Sequence, residues 1–167
     1  EIMTEMKNYA KKLIKDLKNY NEEEIEDIST KVALGSFKFA ILSHEFHKDI
    51  NYDPESFVSF TGYSAPYILY AYARATSILE KTGYVYENNS INDLASYYNT
   101  TEEIELIKHI LKIDNEIAVA CKRRTTHLLT KYVFNMSELF NKFYNKYNVL
   151  NEEDKELKTS RLALIYI

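Results

Sequence analysis

The chain has 167 residues, enough for one ordinary domain, and only three of them are glycine and two are proline. So few turn-forming residues exclude a β-sandwich or β-barrel and favour long helices. The formal net charge of -4 excludes a strongly basic nucleic-acid binder, so any contact with nucleic acid has to come from local basic patches. The composition therefore predicts an all-α protein.

The N-terminal third predicts two helices followed by a turn. Apolar residues recur at helical spacing over Ile2–Leu17, which is typical of a surface helix. Asn21, followed by three glutamates, predicts the N-cap of a second helix that runs toward His44. Residues 49–60 alternate only briefly between apolar and polar, which indicates a turn with one short strand.

The middle of the chain predicts one strongly apolar helix. Ser64 and Pro66 mark its start, it covers residues 67–81, and Gly83 marks its end. Because this helix is apolar or aromatic on almost every side, we expect it to be the central helix of a bundle.

The C-terminal half predicts four further helices. Thr101 and the acidic residues after it begin a helix that ends near Asp114, and a short helix then leads to a basic turn. Residues 128–147 carry the clearest 3.6-residue stripe in the chain, on which Tyr132 and Phe140 are expected to pack in the core. The last helix is predicted to begin at Asn151.

No catalytic motif is found in the sequence. The glycines lie too far apart for a P-loop or a dinucleotide fingerprint. His44 and His47 are spaced i, i+3 instead of H-E-x-x-H, so we interpret them as a solvated helix end and not as a metal pair. We therefore predict no catalytic, cofactor-binding or metal-binding residue.

The sequence also predicts where the protein works. Charged residues interrupt every apolar stretch before about 18 residues, and the first twenty residues do not form a signal-peptide core. Cys121 is alone and is expected to be a small buried group in a reducing compartment. We expect a cytoplasmic protein that does not associate with a membrane.

Several segments resemble one family in order and in spacing. Residues 61–74, TGYSAPYILYAYAR, resemble the arginyl-tRNA synthetase pattern EGNTGPYLQYAHAR. Residues 31–42 and 49–53 are similar to the helix and turn that follow the family's second ATP-site signature. Residues 127–144 and 161–164 are similar to its anticodon-binding helices. The resemblance thus covers nearly the whole chain.

The resemblance implies a helical bundle of the class I aminoacyl-tRNA synthetase anticodon-binding type. Residues 1–61 would form a helical connector, and residues 62–167 the anticodon-binding domain, with the family's C-terminal end missing after Ile167. The chain would recognise arginine tRNAs for a parent enzyme that attaches arginine to its tRNA with ATP. Neither ATP signature is present, so we expect no cofactor here, no activity alone, a monomer, and a partnership with the catalytic domain of the same parent chain.

Three residues of the apolar helix are candidates for binding unpaired tRNA bases. Tyr67, Tyr70 and Arg74 are spaced i, i+3 and i+7, so they share one helix face. Aromatic rings stack on loop bases, and arginine holds base edges or phosphates. The resemblance implies that these residues contact the anticodon loop. The alternative is that both tyrosines pack in the core and Arg74 makes an internal ion pair.

Two groups of cations are candidates for contacting phosphates. Lys122, Arg123 and Arg124 precede the long helix and are predicted to meet the anticodon stem, with a solvated basic turn as the alternative. A ridge of four lysines on the first helix is interpreted first as a solvated face and second as a path for the tRNA. Its members are Lys7, Lys11, Lys15 and Lys18.

A function of another class stays open. The aromatic surface could dock partner helices in a protein-interaction module without nucleic acid. Binding that weakens steeply with salt would favour tRNA, whereas association that is insensitive to salt would favour the protein partner.

Overall fold

The structure is a computed structural model, and it describes residues 1–17, 20–86 and 95–167. Over these residues the secondary structure consists of eight α-helices and two short 3₁₀ turns, with no strand. The helices are α1 (Ile2–Leu17), α2 (Glu22–Leu42), α3 (Pro54–Phe57), α4 (Ala65–Thr82), α5 (Thr101–Ile110), α6 (Ile113–Arg123), α7 (His127–Lys146) and α8 (Lys155–Tyr166). The predicted all-α fold is confirmed. Among the described residues, no helix combines the length and the apolar character that crossing a membrane requires.

Local capping explains where several helices begin and end. At the start of α2, Asn21 Oδ1 accepts from the backbone N of Glu24, and a carboxylate oxygen of Glu24 accepts from the backbone N of Asn21. Thr100 and Glu103 form the same capping box at the start of α5. α4 ends in a Schellman motif, in which the N–H of Tyr84 bonds to the carbonyl of Leu79 and Gly83 takes a φ of +61°.

Two expectations about secondary structure were wrong. The stretch expected to hold a short strand contains α3 instead, because Asp53 caps its first turn and a proline occupies the first helical position. The last helix begins at Lys155 and not at Asn151, because the Asp154 carboxylate accepts from the N–H groups of Glu156 and Leu157. Asn151 ends a 3₁₀ turn instead.

The described residues divide into two compact units, of which the first comprises residues 1–70 and 116–134. In it, α1 packs on α2 through two apolar clusters. One cluster contains Met6, Ala33 and Val58, and the other contains Ala10, Ile14, Ile25 and Val32. Tyr132 of α7 is also buried in this unit, as predicted.

The second unit comprises residues 71–115 and 135–167. Its core draws apolar side chains from α4, α5, α7, α8 and the turn before α8. The buried members are Ala71, Ile78, Leu106, Phe140, Phe143, Val149, Leu162, Leu164 and Ile165. Phe140 therefore lies in the core, as predicted.

α4 is not buried on every side, which corrects the expectation of a central helix shielded from water. Tyr70 is 47 % exposed and Tyr72 is 70 % exposed. Tyrosine tolerates such positions because its hydroxyl can face water while its ring covers apolar neighbours. An apolar or aromatic sequence did not distinguish these surface positions from buried ones.

Candidate nucleic-acid interface

Tyr67 lies in an aromatic cluster of the first unit. Its ring centroid is 5.2 Å from that of Phe134, which in turn lies 4.8 Å from the ring of Tyr63. The Tyr63 ring also contacts Phe39 at 5.0 Å, and its hydroxyl donates to Thr130 Oγ1 at 3.2 Å. Tyr67 is half-buried, so it packs within this cluster and is still partly accessible to solvent.

Tyr70 is the more exposed of the two candidate tyrosines. It lies one helical turn after Tyr67 on α4, and nearly half of its surface is accessible to water. An exposed ring on a rigid helix is suited to stacking on an unpaired base.

Arg74 belongs to the second unit and is held there by neighbouring side chains. Its Nη1 donates to Asn141 Oδ1 at 3.2 Å, and its guanidinium carbon lies 4.7 Å from the centroid of the Tyr144 ring. Asn141 is itself buried. Two of the contacts of Arg74 therefore join it to an amide and to an aromatic ring.

Lys122, Arg123 and Arg124 form an exposed basic turn at the C-terminal end of α6. The partial negative charge of a helix C-terminus stabilises cations at this position. Within the part of the chain that the structure describes, these three side chains make no hydrogen bond and no ion pair. The turn is therefore the largest group of uncompensated positive charge that the candidate residues provide.

The lysine ridge of α1 is partly neutralised. Lys7 and Lys11 both form ion pairs with Glu26 of α2. Hydrogen bonds from Lys11 and then Lys7 lower the pKa of Glu26 to about 2, so its carboxylate stays charged at neutral pH. Lys15 is exposed, whereas Lys18 lies outside the described residues.

Cys121 is exposed, so the expectation of a buried thiol was wrong. In α6 the buried residue is its neighbour Ala120, and one step along a helix turns the next side chain by about 100°. A short helix with one buried position therefore places Cys121 toward solvent.

His47 and His127 lie beside the carboxylate of Glu45, whereas His44 contacts the carbonyl of Ala40. His47 Nε2 is 3.1 Å from Glu45 Oε2, and His127 Nε2 is 3.9 Å from the other oxygen of that carboxylate. Among the described residues, no three or more His, Cys, Asp or Glu side chains are placed to hold one metal ion. Phe46, between His44 and His47 in the chain, was not singled out by any periodicity or motif in the sequence, yet it is 92 % exposed.

Comparison with known proteins identifies the family. Residues 68–167 match the DALR anticodon binding domain. The chain belongs to this family. Membership confirms the anticodon-binding type of helical domain that the resemblance implied.

Named relatives agree with this assignment. The arginine–tRNA ligase of Clostridium acetobutylicum is 40 % identical over 148 residues, which are 89 % of this chain and 26 % of the relative. The corresponding ligase of Clostridium botulinum strain Alaska E43 is 37 % identical over the same shares of both chains. The chain thus spans about a quarter of the length of these relatives.

Solved structures show the same arrangement of helices. The arginyl-tRNA synthetase of Thermus thermophilus matches with a TM-score of 0.83 and 27 % identity, over 99 % of this chain and 28 % of that one. The arginyl-tRNA synthetase of Plasmodium falciparum matches with a TM-score of 0.82 and 27 % identity, over 98 % and 29 %. The helical architecture of the DALR domain and of the helices before it is therefore shared with these enzymes.

Proposed function

We propose that this chain recognises arginine tRNAs and binds their anticodon loop, as part of an arginine–tRNA ligase that attaches arginine to its tRNA with ATP. The observation that carries the proposal is the match of residues 68–167 to the DALR anticodon binding domain. Because the chain spans only about a quarter of its relatives, arginine activation, ATP binding and the catalytic domain are assigned to the remainder of a longer parent chain.

The proposal includes the organisation predicted from the sequence. Residues 1–61 act as a helical connector and residues 62–167 as the anticodon-binding domain. The chain by itself is monomeric, binds no cofactor and does not charge tRNA, and the parent enzyme works in the cytoplasm.

The candidate residues take different roles in this proposal. Tyr70 stacks on an unpaired base, because it is the more exposed of the two candidate tyrosines. Lys122, Arg123 and Arg124 contact phosphates, because their charges are not compensated within the described residues. Tyr67 and Arg74 also face the tRNA, but each has a second role in holding its own unit together.

The proposal is tested with the anticodon stem-loop of an arginine tRNA, labelled with fluorescein and titrated with the chain. Tyr70→Ala should weaken binding by roughly 5- to 150-fold, the equivalent of one lost stacking contact. Tyr72→Ala is the matched control, since it removes the same side chain from an exposed position on another side of α4, and it should leave the affinity unchanged. Failure of the unmodified chain to bind the stem-loop would refute the proposed function.

Tyr67→Ala and Arg74→Ala need a stability measurement beside the affinity. Tyr67→Ala removes a ring that packs on Phe134, and Arg74→Ala leaves the buried amide oxygen of Asn141 without a donor. Both changes should therefore lower the melting temperature. A loss of stability with unchanged affinity of the folded protein would remove these two residues from the interface.

One observation favours the alternative of a protein-interaction module. An open apolar groove of about 390 Å³ lies in the first unit, lined by residues of α2, α4 and α7 that include the exposed Leu69 and Val133. A protein docked there should bind with little dependence on salt. Binding of the tRNA stem-loop should instead weaken steeply between low and physiological salt. The slope of log affinity against log salt is set by the number of phosphates that the chain contacts.

A further inference from the structure

A pocket of about 440 Å³ lies in the first unit, between the turn that follows α2 and the turn that joins α6 to α7. Its volume falls within the range of roughly 300–1,000 Å³ that is usual for small-ligand sites. The two turns are held together, because Thr126 Oγ1 donates to the carbonyl of Leu42 at 2.9 Å and His127 lies 3.9 Å from Glu45. The pocket walls are therefore connected by side-chain contacts that span more than 80 residues of sequence.

Phe46 provides an uncovered aromatic ring at this pocket. The ring is 92 % exposed and meets the edge of the His47 ring at a centroid distance of 5.4 Å. A side chain this exposed adds almost nothing to the fold through burial. An exposed aromatic face in a pocket that is also lined by cations is an arrangement on which unpaired bases stack.

Arg124 provides a cation whose backbone conformation is unfavourable for a residue other than glycine. The N–H of Thr125 bonds to the carbonyl of Ala120 and the N–H of Arg124 to that of Cys121, which is the same Schellman pattern that ends α4. Gly83 occupies the left-handed position in α4, with φ of +61°, whereas in α6 that position holds Arg124, with φ of +51°. Glycine would take this conformation with less strain.

The Arg124 side chain is also not used within the fold. It is exposed and makes no hydrogen bond or ion pair over the residues that the structure describes. A planar, permanently charged guanidinium with free donors is suited to a phosphate. Strain at the backbone together with an unused side chain points to a function for Arg124 outside the fold.

The other polar groups of the pocket are compatible with a ribonucleotide. Lys48 Nζ lies 3.4 Å from Glu45 Oε2 and offsets that carboxylate, so Arg124 leaves the pocket with one net positive charge when the histidines are neutral. His44 Nδ1 donates to the carbonyl of Ala40 at 2.6 Å. The neutral ring then has Nε2 available to accept a hydrogen bond from a hydroxyl such as the ribose 2′-OH.

We infer that this pocket binds an unpaired nucleotide of RNA, with the base stacked on Phe46 and the phosphate on Arg124. The inference rests on the proposed function and adds to it a second point of contact, separate from Tyr70 on α4.

The test uses a fluorescein-labelled transcript of an arginine tRNA and the whole chain. Phe46→Ala should weaken binding by roughly 5- to 150-fold, and Phe46→Trp, which keeps a stacking face, should bind as tightly as the unmodified chain. Arg124→Gly should also weaken binding and should lower the slope of log affinity against log salt by about 1, while its melting temperature stays the same or rises. Leu111→Ala, which removes an exposed apolar side chain from the second unit, is the control and should change neither quantity.

The outcomes separate this inference from the proposed function. If the unmodified chain binds the tRNA but Phe46→Ala binds equally well, the pocket holds no base and the inference is overturned while the proposed function stands. The inference is also overturned, and the proposed function also stands, if Arg124→Gly binds the tRNA as tightly as the unmodified chain. If the unmodified chain does not bind the tRNA at all, the proposed function and the inference fail together.

Discussion

Arg161→Met should destabilise the second unit strongly, because it leaves a buried carboxylate without its cation. Arg161 is 6 % exposed, its Nε donates to Glu103 Oε1 at 2.8 Å, and its Nη1 donates to Glu152 Oε2 at 2.6 Å. Its guanidinium carbon also lies 4.4 Å from the centroid of the Tyr147 ring. Methionine keeps much of the length of the side chain but donates no hydrogen bond, so the charge of Glu103 would stay in a site that is closed to water.

The expected loss in the free energy of unfolding depends on the hydrogen bonds and the hydration that Glu103 and Glu152 retain in the variant. Removing one partner of a buried ion pair costs about 3–5 kcal/mol. Glu103 retains a hydrogen bond from the backbone N of Thr100 at 3.2 Å, and Glu152 is only partly buried and can be hydrated. We therefore expect a loss near the lower end, about 3 kcal/mol. For a chain of this size that corresponds to a fall in melting temperature of roughly 6–12 °C.

The assay is urea unfolding at pH 7, followed by far-UV circular dichroism. Lys146→Met is the matched control, because Lys146 also pairs with a carboxylate, Glu102, at 2.7 Å but is exposed. Exposed pairs contribute about 0–1 kcal/mol, so this control should lose no more than that. The double variant Arg161→Met/Glu103→Met removes both buried charges, and it should be more stable than Arg161→Met alone.

The pH dependence provides a second check on the same reasoning. Burial opposes ionisation of Glu103, but hydrogen bonds from Arg161 and Thr100 outweigh it and lower the pKa below the ordinary 4.5. In the unmodified chain this stabilisation is present above pH 4.5 and is lost as the pH falls through the folded-state pKa. In Arg161→Met, Glu103 stays buried but loses the hydrogen bond from Arg161 that opposed the effect of burial. The pKa of Glu103 should therefore rise, and the free-energy cost of burying its charge should disappear when it is protonated. The stability difference between the two proteins should therefore begin to narrow above pH 4.5, as the pH falls through the raised pKa of the variant, and should narrow further below pH 4.5 as the unmodified chain loses its own stabilisation. A loss under about 1 kcal/mol at pH 7, or a difference that does not change with pH, would refute the reasoning.

Two further predictions concern glycine and one exposed carboxylate. Gly35→Ala should stabilise the chain by about 0.5–1 kcal/mol, because the added Cβ in α2 would meet Leu69 Cδ1 at an ordinary 3.6 Å, whereas Gly83→Ala should destabilise it by about 1–2 kcal/mol at a φ of +61°. The two predictions would be contradicted if the urea midpoints of Gly35→Ala and Gly83→Ala shifted in the same direction. The Glu26 carboxyl should titrate in NMR with a pKa well below 4.5, because Lys11 and Lys7 donate to it, and Lys11→Met should raise that pKa. The stabilisation from Glu26 should be present above pH 4.5 and lost as the pH falls toward 2, and an unshifted pKa at low salt would contradict the ion pairs.

Local signals were sufficient for most of the secondary structure. Asn21 and Gly83 were identified as helix ends from sequence, and the structure confirms both, because capping depends on hydrogen bonds within a few residues. The start of α8 was missed, since Asn151 and Asp154 are both good N-caps and local preference does not choose between them. The segment 160–165 is buried in the second unit, and that packing is not local.

The family could also be recognised from sequence, because the segment at residues 61–74 has a specific pattern of residue types. The candidate residues within it could not be sorted in the same way. Tyr67 and Tyr70 are the same residue type one turn apart, yet one packs on Phe134 and the other is exposed. Helical spacing places residues on a common face but does not determine which neighbours cover that face.

Tertiary structure alone decided which charges are available to a ligand. The sequence does not distinguish Lys7 and Lys11 from the other lysines of α1. In the structure, both form ion pairs with Glu26 of α2. In the same way, the fold brought Phe46 and Arg124, 78 positions apart in the chain, to the walls of one pocket. Residue type and periodicity act over one or two helical turns, whereas ion pairs and pockets depend on where distant segments meet, and that is determined by the packing of the apolar core.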